Sequence, residues 1–152
     1  MSTQYAVMPD ATDPLAAYLE HVQARVRARQ GRVVPAGEEA SPALLPGSIA
    51  ALATRQPNEC LALIVRTLAE PVSPDAIAVI GEGLLEDLLN ESAGRIADQV
   101  TAELKTNKRF RQAFGFGNYS SVDPAVVEDW VGVLERLGTT KARERKSTWK
   151  RG

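Results

Sequence analysis

A recurring piece of punctuation constrains this chain more than anything else in it. Asp13-Pro14, Ser73-Pro74 and Asp123-Pro124 each stand directly before a run of apolar residues at helical spacing. A short polar side chain can accept from the unpaired N–H groups of a helix's first turn. Proline has no N–H to lose there, and its fixed φ already suits a helix. Each pair therefore predicts a helix start, and Pro57 predicts a fourth.

The segments that follow agree. Leu15, Tyr18, Leu19, Val22 and Val26 form one stripe, stopped by Gly31. Ile49 and Leu52 mark a short helix over 48–55. Leu61, Ile64, Val65 and Leu68 share a face that ends at Pro71. The run Ala76–Ile80 is almost wholly apolar and reads as buried. Gly81 and Gly83 interrupt it, before Leu84, Leu85, Leu88 and Leu89 resume it. Gly94 separates that segment from a helix bearing Ile96, Val100 and Leu104, with Phe110 and Phe114 following at helical spacing. Gly115–Asn118 reads as a loop. Val127, Trp130, Val131, Leu134 and Leu137 mark the last helix, stopped by Gly138. No stretch alternates apolar and polar residues as a half-buried strand would. The expected fold is all-α, a compact bundle or a short stack of helical hairpins with about five to seven helices.

Length and composition fit one domain. The 152 residues are 44% hydrophobic but 5% aromatic, so the core must be built mainly from Leu, Val, Ile and Ala. Residues 1–12 are expected to be a flexible N-terminus and 13–138 the helical domain, with a long Pro/Gly loop over 31–47. Residues 139–152 form a basic tail. The first ten residues lack the basic and apolar regions of a secretory signal, and no apolar run is long enough to span a bilayer. A cytoplasmic, non-membrane protein is the expectation.

Several chemistries are disfavoured by residue supply. Cys60 and His21 are the only members of their types, which rules out an internal disulfide and the usual Cys/His zinc set. A Cys–His nucleophilic pair would need the two to meet in space. The plainer reading is a small core filler and a histidine at a helix boundary. Gly81-Glu82-Gly83-Leu84-Leu85-Glu86 falls short of a dinucleotide fingerprint, because Glu86 stands where the third glycine belongs and would repel a pyrophosphate. The glycines point instead to a tight corner between helices or to a close helix approach. No cofactor is expected.

Charge carries the remaining signal. The net charge of −1 conceals segregation: residues 57–104 hold nine acidic and two basic side chains. The tail holds six basic and one acidic. Glu82 and Glu86, and likewise Asp87 and Glu91, lie one helical turn apart. Such carboxylates can hold hard cations or divide acid and base roles, but a solvated acidic face is the ordinary reading. On the basic side, Lys108, Arg109 and Arg111 precede a tail with Arg143, Arg145, Lys146, Trp149 and Lys150. That tail could neutralise phosphates and stack one base, or fold back on the acidic face.

Gly81-Glu82-Gly83-Leu84-Leu85-Glu86-Asp87-Leu88-Leu89, followed by Arg109-Phe110-Arg111-Gln112-Ala113-Phe114, resembles the core of a family of small all-helical bacterial proteins of undefined function. The resemblance covers about residues 48–115 and implies a helical fold, with no catalytic residues to carry over. Within it, Leu85, Leu88 and Leu89 are expected to pack inward while Glu86 pairs with Arg109 or Arg111. The favoured functional expectation is a non-catalytic module that binds an unidentified protein partner through Glu82, Glu86, Asp87 and Glu91, in the manner of an immunity or inhibitor protein. The alternatives are nucleic-acid association through the tail and a cryptic carboxylate enzyme.

Overall fold

The computed structural model describes residues 13–31 and 45–138. The inner part of the Pro/Gly loop, the N-terminus and the basic tail lie outside the described residues. The described residues are mostly helical and contain no strand. The helices are α1 (Pro14–Arg29), α2 (Gly47–Ala50), α3 (Leu52–Arg55), α4 (Pro57–Ala69), α5 (Pro74–Ile80), α6 (Glu86–Thr106), α7 (Lys108–Phe114) and α8 (Pro124–Arg136). A π-helical segment, Gly81–Leu85, joins α5 to α6, so that residues 74–106 run as one irregular rod.

The helix starts fall where the proline pairs predict. Asp13 accepts from the Ala16 N–H at 3.3 Å, Ser73 from Ala76 at 3.1 Å and Asp123 from Ala125 at 2.9 Å. Asn107 opens α7 in the same way, taking the Phe110 N–H at 3.1 Å. Gly31 and Gly138 end their helices with φ of 72° and 75°, a conformation that costs glycine little. The 48–55 helix is interrupted at Ala51, giving the two short turns α2 and α3.

The rod decides between the readings of its glycines. Of the two alternatives for Gly81 and Gly83, the close helix approach holds at Gly81, and the chain passes through both in a wide π turn rather than a corner. Gly94 stands, as expected, between two helical stretches, which α6 joins across a kink: the geometry is non-helical on both sides of it, at Ser92 (φ −139°, ψ 20°) and Ile96 (φ −132°, ψ 19°). Beside this kink, Ser92 Oγ donates to the Ala53 carbonyl at 2.6 Å and Arg95 Nη1 to the Thr54 carbonyl at 2.8 Å. Kinks at Gly/Ser pairs are common, and here the kink coincides with a grip on the C-terminal end of α3.

The rod is the centre of the domain. α1 packs against α5 and α4, while α3, α4, α7 and α8 pack against α6. Every residue of Ala76–Ile80 is buried, and Leu84, Leu85, Leu88, Leu89, Ile96, Val100 and Leu104 continue the core along the rod. Three of the described aromatics cluster at one place. Phe114 stacks on Tyr119 (centroids 4.7 Å apart) and meets Trp130 edge-on at 5.8 Å and 89°. Such pairs add about 0.5–1.5 kcal/mol beyond the area they bury.

Gly81 is the tightest point. A Cβ there would overlap the Ala113 carbonyl oxygen at the end of α7, whereas a Cβ at Gly83 would meet nothing within 4 Å. Gly81→Ala should therefore destabilise the fold by about 2 kcal/mol or more through overpacking. Gly83→Ala should be neutral or stabilise by up to about 1 kcal/mol, by restricting the unfolded chain. Urea unfolding of the two variants measures the contrast, and equal effects would contradict this account of the junction.

Candidate functional site

The four acidic residues on the rod have different surroundings. Glu82, in the π segment, pairs with Arg29 of α1 (Oε2 to Nη1, 3.1 Å), both side chains half exposed. Glu86 is half-buried and accepts the Asn118 N–H at 2.9 Å. One turn further on, Asn90 donates to the Asn118 carbonyl at 2.9 Å and accepts from the Ser121 N–H at 3.0 Å. Together they hold the loop between α7 and α8 by its main chain, and Asn118 Oδ1 tightens it further by accepting from Ser120 N–H at 3.1 Å. Asp87 and Glu91 are exposed. The carboxyl of Asp87 is raised above its ordinary value, first by partial burial, then by the charges of Glu86 and Glu91.

The expected ion pair of Glu86 with Arg109 or Arg111 is not formed. Arg109 Nη1 donates to the carbonyls of Leu68 and Glu70, at 2.8 and 2.6 Å, and so finishes the C-terminus of α4. Arg111 Nη1 donates to the Leu104 carbonyl at 2.9 Å and lies 3.5 Å from that of Lys105, at the end of α6. Carbonyls at a helix C-terminus lack partners within the helix and carry its negative end, so a guanidinium is well matched to them. Two members of the expected basic patch thus serve as helix caps. Lys108 is exposed at the start of α7, and Arg143, Arg145, Lys146, Trp149 and Lys150 lie outside the described residues.

Cys60 and His21 sit on elements that meet. α1 lays Tyr18 and Val22 against α4 and α5, and the His21 ring stacks on Tyr18 with centroids 6.0 Å apart. Cys60 is completely buried. Burial, and secondarily the charge of Asp87, push its thiol up to about 12. Burial also raises the Tyr18 phenol, followed by the charges of Cys60 and Asp87, while a backbone hydrogen bond from Leu84 acts in the opposite sense. A nucleophilic cysteine needs its thiolate, and this environment suppresses it. Among the described residues, no three His, Cys, Asp or Glu side chains converge to hold a metal ion. No described helix is long and apolar enough to cross a membrane.

Asn90, Ser92, Arg95 and Arg29 do structural work that the sequence reading did not assign to them. Asn90 had one usable signal, its position four residues after Glu86 on the same helical face. No family model, curated protein or solved structure matches the chain.

Two outcomes check this geometry. Glu86→Ala should lower stability by about 1 kcal/mol, by leaving the Asn118 N–H without its carboxylate. Glu91→Ala, which makes no such bond, should stay within about 0.5 kcal/mol of the parent. Thermal denaturation of both decides it. Because the Cys60 thiol is raised in the fold, its stabilising contribution is complete below its ordinary value of 9.0 and is lost as pH climbs towards about 12. Urea unfolding across this alkaline range should show falling stability, with a shallower fall in Cys60→Ala.

Proposed function

We propose that this protein is a non-catalytic helical module that binds a basic protein partner through the acidic surface around Asp87 and Glu91, as an immunity or inhibitor protein covers its target. The observation that carries the reading is geometric: Glu82 and Glu86 are engaged by Arg29 and the Asn118 N–H, while Asp87 and Glu91, one helical turn apart on α6, stand exposed beside them. Burial and the charges of Glu86 and Glu91 raise the Asp87 carboxyl, so a cation placed against it would favour its charged form. One turn away, Glu82 already engages a guanidinium from α1, which illustrates the kind of group this face accepts. Exposed like charges of this sort also steer oppositely charged partners, raising the association rate more than the affinity.

The thiol of Cys60 is buried and held neutral. Of the expected acidic set, Glu86 contributes as a loop anchor and as part of the local negative field. Asp87 and Glu91 are the members left to meet a partner.

A charge-reversed variant, Asp87→Lys/Glu91→Lys, should lose capture of the partner that the parent retains. A reversal on α8, Glu128→Lys, should leave capture intact. The parent's association rate should fall as salt rises, because exposed charges are screened over about 8 Å at physiological ionic strength. Capture unchanged by the double reversal would refute the reading. The raised carboxyl of Asp87 adds a test of sign. Its contribution to stability is present below the ordinary aspartate value and is lost as pH rises through the carboxylate range. Asp87→Asn should accordingly raise the melting temperature at pH 7 while weakening partner binding, the opposed changes expected where a site is maintained against stability.

A further inference from the structure

We draw no further inference here: the strongest candidate, the exposed acidic patch of Asp87 and Glu91 on α6 taken as a seat for the basic residues 139–152 of the same chain, belongs to the site already described, and nothing in the structure shows what covers it.

Discussion

The contact between the α-carbon of Gly81 and the carbonyl of Ala113 sets the arrangement of the domain. It brings the end of α7 against the rod at the point where α5 gives way to the π turn. The neighbouring residues of that turn each reach a different element. Glu82 meets Arg29 of α1, Leu84 offers its backbone to Tyr18, and Leu85 lies in the core. A π turn inserts an extra residue and so re-aims the side chains that follow it. Glu86 begins the regular helix just beyond, placed to catch the loop that follows α7. The segments 81–89 and 109–114 therefore pack against each other here, Gly81 of the first meeting Ala113 of the second.

What could be read in the sequence and what could not divide along physical lines. The starts of α1, α4, α5 and α8 were legible because capping is local: the aspartate, serine or proline and the N–H groups concerned lie within one turn. The burial of Ala76–Ile80 was legible because an unbroken apolar run has no polar face to turn outward. The break near Gly94 was legible, though the hold of Ser92 and Arg95 on the end of α3 was not. Nor was the π segment legible, because the Ala113 carbonyl it packs against is remote in sequence. Gly81 was ambiguous between corner and close approach for the same reason, and only the packing of α7 decides it.

The charged residues repeat this lesson. The acidic run on the rod was plain in the sequence, but its local wiring was not. Glu86 and Arg109 look like natural partners when only composition is considered. Each instead serves a backbone group, Glu86 the N–H of Asn118 and Arg109 the last carbonyls of α4. Main-chain groups that helices leave unpaired compete for charged side chains, and a reading that pairs acids with bases overlooks them. Once these assignments are made, Asp87 and Glu91 are the exposed members of the 82–91 acidic set that serve neither a backbone group nor Arg29.

The clamp of Glu86 and Asn90 has a consequence for how this domain can change. It addresses the α7–α8 loop almost entirely through the N–H and C=O groups of Asn118 and Ser121, while the side chains of Ser120 and Ser121 face solvent. The loop's course is thus fixed without reference to the identity of those two residues. Mutation can rewrite what they display while the backbone beneath keeps its shape, which makes the loop a ready-made frame for new surface chemistry on an unchanged scaffold.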